Sequence, residues 1–182
     1  MTLQDRLEAL GLHAMVDHFD EVSDADWLPW LVDLEERERQ RRSLERRRKM
    51  ARLGHFKAMS DFDWHWPEQV DRKLVDELFQ LRFVGQGLNV VLVGPNGVGK
   101  TMLAKNLGSA CLDAGHTVRF TTASHMLNQL AAEDSATALE RRLRRLCRPR
   151  VVSPRTPNPL EAHDVPGWRP ESQLLVTVAQ LG

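Results

Sequence analysis

The chain has 182 residues, 42% of them hydrophobic, with 25 basic and 25 acidic side chains. That length suits one domain with a small helical appendage, and it is apolar enough to bury a core. A formal net charge of zero argues for no particular partner, although the charges are unevenly spread. Residues 1–34 hold eight acids and one base, residues 35–52 hold nine bases and four acids, and residues 137–155 hold seven arginines and one acid.

Cys111 and Cys147 have neither metal-ligand nor redox spacing, and two cysteines make no disulfide scaffold. The opening "MTLQDRLEALGL" carries acids and no continuous apolar stretch, so it does not read as a signal peptide. No apolar run approaches the ~20 residues that span a membrane. The expected location is the cytoplasm.

In chain order, Leu3, Leu7, Leu10, Val16 and Phe19 predict an amphipathic helix over 3–19, with Gly11 its weak point. "SDADW" reads as a helix start capped by Ser23 or Asp24. The helix that follows is expected from about Asp26 to Leu53. Trp27, Trp30, Leu31 and Leu34 form its apolar face, and then "EERERQRRSLERRRKMAR" takes over. "GHFKAMSDFDWHWPEQ" reads as irregular. Its aromatic residues, with Trp27 and Trp30, are expected to pack in the core or between domains. "VDRKLVDELFQL" is a short amphipathic helix aligned on Val70, Leu74, Leu78 and Leu81. "NVVLVG" is a buried strand. "KTMLAKNLGSACLDAG" is a helix with Leu103, Leu107, Ala110 and Ala114 on one side and Gly115 past its end. "HTVRFTTA" is a second strand, and "SHMLNQLAAE" and "ATALERRLRRLC" are helices. Strand and helix in alternation predict a parallel α/β sheet.

Gly94-Pro95-Asn96-Gly97-Val98-Gly99-Lys100-Thr101 fits the Walker A pattern between a strand and a helix. Glycines let the backbone curl so that successive N–H groups face phosphate oxygens. The helix behind them presents its positive end. Lys100 reaches the β- and γ-phosphates, and the Thr101 hydroxyl ligates the bridging Mg²⁺. Met102 follows in the same first turn. The expected cofactors are therefore ATP and Mg²⁺.

Arg41, Arg42, Arg46, Arg47, Arg48 and Lys49 are candidates for contact with DNA phosphates. The bland alternative is a solvated helix laced by i,i+4 pairs such as Glu38–Arg42. "ERRLRRLCRPR" is a second basic patch. Leu139, Leu143 and Leu146 are expected to give it a buried side. Ser124-His125 is adjacent in sequence, which does not place a nucleophile against a base, and His163-Asp164 looks like a fragment of a metal dyad but lies in the Pro-rich tail.

The segment from Phe83 to Leu146, carried by "NVVLVGPNGVGKTMLAKNLG", "AGHTVRFTTASHMLNQL" and "LERRLRRL", resembles the IstB-like ATPases. These are helpers of insertion-sequence transposition, of the AAA+ class and related to DnaC helicase loaders. "FDW" and "VDRKLVDEL" extend the resemblance towards the N-terminus. It implies ATP and Mg²⁺ binding through Gly94 to Thr101, a double-stranded DNA partner, a transposase partner, and homo-oligomers on DNA. A small-molecule P-loop kinase and a non-functional fragment of a mobile-element gene are the competing readings.

A P-loop ATPase also needs an acid at the end of another buried strand. The family's strand of that kind follows "RP" and reads roughly D-L-L-I-I-D-E. Here Arg148-Pro149 lead instead into "RVVSPRTPNPLEAHD". The resemblance stops there, as a truncation or a frameshift after Pro149 would cause; a genuine lineage-specific tail is the bland alternative. The expected architecture is thus an α/β P-loop NTPase with an incomplete, AAA+-like parallel sheet. Its parts are a helical region over 1–69, a partial ATP-binding domain over 70–149, and a Pro-rich tail over 150–182 that is disordered or out of frame. Hydrolysis is expected to be deficient.

Overall fold

The computed structural model describes residues 1–65, 69–94, 97–147, 149, 151–155 and 173–179. The chain divides into two compact units, 1–46 and 47–182.

In the first unit, the predicted helix 3–19 is broken into α1 (Leu3–Ala9), α2 (His13–Asp17) and α3 (Phe19–Val22). Thr2 caps α1, its Oγ1 accepting from the Asp5 N–H while its own N–H donates to the Asp5 carboxylate. Gly11, at φ +66°, turns the chain after α1. Ser23 closes α3 instead of opening the next helix. That helix, α4 (Leu28–Ala51), runs across the boundary between the units.

The buried side of α4 is not the predicted one. Leu28 and Val32 are fully buried against Leu7 and Leu10, while of the predicted face Leu31 is half-buried and Trp27, Trp30 and Leu34 lie exposed. One helical turn separates Leu28 from Val32, so they point together, well round the helix from the tryptophans. The apolar surface around Leu7 and Leu10, which Leu3, Val16 and Phe19 extend, decides the matter. Arg6 completes this unit by donating to Glu36 from Nε and Nη2 and to Asp33 from Nη2.

In the second unit, β1 (Gln69–Val70), α5 (Arg72–Leu78), α6 (Arg82–Gln86), β2 (Asn89–Val93) and α7 (Lys100–Asp113) follow in order. Asp71 caps α5 by accepting from the Leu74 N–H at 3.0 Å. Then come β3 (Val118–Thr122), α8 (Ala123–Ala131), α9 (Ala136–Cys147), β4 (Val151–Arg155) and β5 (Gln173–Ala179).

The sheet differs from the single parallel one expected. The strand β2 pairs antiparallel with β5, which also pairs with β1, and β3 pairs parallel with β4 in a separate two-stranded sheet. Among the described residues β2 and β3 are therefore not neighbours. Both partners come from the segment 150–182, whose residues 150, 156–172 and 180–182 lie outside the described residues. The expectation for that tail falls largely there.

The core of this unit gathers Phe62, Val75, Leu78, Val98, Leu103 and Leu107. A fully buried leucine such as Leu103 contributes about 1.5–3 kcal/mol. The inner side of α7 also includes Gly108, Cys111 and Leu112, rotated from the predicted Ala110 and Ala114, of which Ala114 is exposed. An alanine Cβ at Gly108 would lie 3.2 Å from Leu53 and 3.4 Å from Val118. The missing side chain thus lets the segment after α4 and the strand β3 close on α7 together.

Candidate nucleotide site and basic surfaces

The Walker A stretch leaves β2 at Gly94 and enters α7 at Lys100. Gly97 and Gly99 have φ of +90° and +86°, conformations that side chains rarely adopt. Between them Val98 is buried and joins the core, so the loop is anchored at its middle while its backbone curls. Pro95 and Asn96, both predicted contacts, lie outside the described residues.

Gly99 leads directly into the helix, its carbonyl accepting from the Leu103 N–H at 2.9 Å. The Lys100 ammonium turns back across the loop and donates to the Gly94 carbonyl at 2.6 Å. Partial burial lowers its pKa from the ordinary lysine value. A phosphate in the loop would offset that desolvation by supplying the opposite charge. Thr101 and Met102 are half-buried in the first turn. Gly94, Gly97, Val98, Gly99, Lys100, Thr101 and Met102 therefore come together at one helix N-terminus. Curled glycines, a lysine held over the loop and the open end of a 14-residue helix suit a di- or triphosphate.

Sequence reasoning missed the support beneath this loop. Phe62 packs under Gly99 and meets Trp64 with ring centroids 4.8 Å apart. The Arg72 guanidinium sits 4.9 Å from the centroid of Trp64. Behind them, Asn106 donates to the Lys57 carbonyl at 2.9 Å and Lys105 to the His55 carbonyl at 3.3 Å. The irregular segment 53–64 is thus strapped along α7. The only sequence signal for this was the aromatic run "FDWHW", of which Trp66 lies outside the described residues.

The basic half of α4 is paired more than its sequence suggested. Arg41 bridges Glu38 and Glu45, Arg42 pairs with Glu38 at 2.7 Å, and Arg39 pairs with Glu35. Hydrogen bonds from Arg41 and Arg42 pull the Glu38 carboxyl down to about 2. Arg47 donates to the Leu112 carbonyl and Arg48 to Asp113. Arg46 and Lys49 are exposed.

The second patch also departs from expectation. Leu146 is buried, but Leu139 and Leu143 on the same helix are exposed, as is Leu127 on α8. Helices α8 and α9 contact each other, and Arg142 bonds Glu133 between them. This leaves the middle of the apolar stripe of α9 uncovered by the described residues.

At the end of β3, where α8 begins, the His125 ring bonds Gln129 at 2.7 Å, and the His125 backbone N–H donates to the Thr122 hydroxyl. Among the described residues no group of three or more His, Cys, Asp or Glu could hold a metal. His163-Asp164 lies outside them.

The sequence pattern of the family described as IstB-like ATP binding protein matches residues 2–153. The chain is 42% identical over 114 residues to an ATP-binding protein of insertion sequence IS21 from Pseudomonas aeruginosa, covering 63% of this chain and 43% of the relative. It is 33% identical over 150 residues to one of IS5376 from Geobacillus stearothermophilus, covering 82% and 59%. An insertion-sequence ATP-binding protein of Mycobacterium tuberculosis is 32% identical over 159 residues, covering 82% and 63%. The chain therefore spans between about two fifths and two thirds of the length of these relatives.

Proposed function

We propose that this chain, which belongs to the IstB-like ATP-binding protein family, binds Mg-ATP and double-stranded DNA as a cytoplasmic helper of a transposase. The observation that carries the nucleotide half is the Lys100–Gly94 bond across a loop of positive-φ glycines at the head of α7. In the proposed complex the N–H groups from Gly97 to Thr101 face the phosphates, Lys100 leaves the Gly94 carbonyl for them, and the Thr101 hydroxyl takes the Mg²⁺. The metal would neutralise charge on the β- and γ-phosphates. Arg41, Arg42, Arg46, Arg47, Arg48 and Lys49 meet DNA backbone phosphates, which gives salt-dependent affinity without sequence preference. The relatives are proteins of insertion sequences, which supports a transposase partner, an AAA+-type core and self-association on DNA.

We assign no hydrolysis to this chain. The strand beside β3 reads Val-Val-Ser-Pro-Arg, and it brings Arg155 opposite Thr122. An acid at such a strand end would be needed to hold the metal side of the site and activate water.

The test is nucleotide binding and turnover with and without duplex DNA, comparing the unmutated chain with Lys100→Ala. Binding is expected in the former and lost in the latter, with no turnover in either. Equal binding by both would remove Gly94 to Thr101 as the site. Turnover by the unmutated chain would show that an acid acts where none has been assigned.

A further inference from the structure

Of the six basic residues assigned above to DNA, Arg41 and Arg42 pair with carboxylates of their own helix, whereas Arg47 and Arg48 are held by the end of another helix. The last turn of α7 closes in a Schellman motif: the His116 N–H donates to the Cys111 carbonyl at 2.9 Å and the Gly115 N–H to the Leu112 carbonyl at 3.1 Å. The Leu112 carbonyl has a second lone pair, and Arg47 Nη2 donates to it at 3.2 Å. The next residue, Asp113, takes Arg48 Nη2 at 2.8 Å. A helix C-terminus concentrates negative partial charge on its last carbonyls. A full carboxylate beside them makes a paired acceptor, which offers the two arginines what a DNA phosphate would.

We propose that the C-terminal end of α7 is an internal competitor of duplex DNA for Arg47 and Arg48, with Asp113 setting the affinity. This rests on the assignment of these arginines to DNA. The Arg48 and Asp113 side chains are 55% and 50% exposed, so the pair is screened by water and a phosphate can replace the carboxylate. Arg46 and Lys49 flank the pair on the same exposed helix end and are available to the first encounter. The Arg47 bond is partly buried and ends on a carbonyl already engaged by Gly115, so Arg48 is the side chain that transfers first. Asp113 thereby holds non-specific binding below what the arginine count alone would give.

The experiment is fluorescence anisotropy of a labelled random-sequence duplex with the full chain, as Asp113→Asn, Arg48→Ala and the double variant. Asp113→Asn is expected to bind about two- to fivefold more tightly than the unmutated chain, and Arg48→Ala more weakly. In the double variant the gain from Asp113→Asn should vanish, because the competitor has nothing left to hold. A gain of the same size with and without Arg48 would mean that only bulk repulsion was relieved, and would overturn the competition. So would unchanged affinity in Asp113→Asn. Absence of duplex binding by every variant would overturn the DNA assignment itself, and this proposal with it. Circular dichroism melts of all four chains establish that each is folded.

Discussion

The ring of Phe62 occupies the space that a first side-chain carbon on Gly99 would need: an added Cβ would stand 2.5 Å from Phe62 Cε2. The backbone of Gly99 is also left-handed, at φ +86°. Two separate penalties therefore meet at this position. Gly99→Ala should cost about 2–4 kcal/mol in urea unfolding, from steric overlap and backbone strain combined. In a Phe62→Ala background the cost should fall to the backbone part, about 1–2 kcal/mol. An unchanged cost there would show that the ring does not set the loop.

The two faces of α4 make the second prediction. Leu28→Ala removes a fully buried side chain and should cost about 2–5 kcal/mol. Trp30→Ala, at a position 60% exposed, should change stability by less than about 0.5 kcal/mol. Thermal melts of the two variants compare them directly. A larger loss for Trp30→Ala would mean that the tryptophan face is covered.

These faces also mark where sequence stopped informing structure. Periodicity located α4, α7, β2 and β3 and placed the phosphate loop between a strand and a helix, because those signals are local. It could not say which side of α4 meets α1, since Trp27–Trp30–Leu34 and Leu28–Val32 are both spaced for a helix. Sheet pairing was illegible for a related reason. Val151–Arg155 and Gln173–Ala179 are short, and their partners β3 and β2 lie far away in sequence. Asp113 was visible as a residue inside a helix, but its bond to Arg48 joins positions 65 apart.

Acid should act on the helical N-terminal region. The hydrogen bonds from Arg6 hold the Glu36 carboxyl below its usual value, and those from Arg41 and Arg42 bring Glu38 to about 2. A depressed carboxyl contributes stability that is present above its unfolded pKa and lost as pH falls through the folded one. Helix content by circular dichroism, measured at a temperature near the melt, should therefore fall progressively from about pH 5 towards pH 2. Arg6→Ala should flatten the part due to Glu36. An equally steep fall in that variant would assign the effect elsewhere.

Alkali should act through Cys111. The side chain is fully buried, and desolvation pushes its thiol up to about 11 from 9.0. The unfolded chain ionises this thiol first, so stability present below pH 9 is lost as pH rises from there towards 11. The loss through this group is about 2–3 kcal/mol at its limit. Cys111→Ala should remove that slope while costing stability at neutral pH. The same burial predicts that Cys111 reacts with a disulfide reagent only as fast as the core opens, and labelling well ahead of unfolding would contradict it.

The strand β5 lies between β1 and β2, pairing Gln69 with Gln173 and Asn89 with Ala179. The middle of that sheet is thus supplied about a hundred residues after its first edge. During synthesis, β2 and the phosphate loop leave the ribosome long before their sheet partner exists. Pairings of such long sequence separation form slowly, and until then β2 presents an open edge to other chains. The nascent protein therefore passes through a window in which β2 is made but unpaired. Until β5 is made, that edge is where one nascent chain can pair with another.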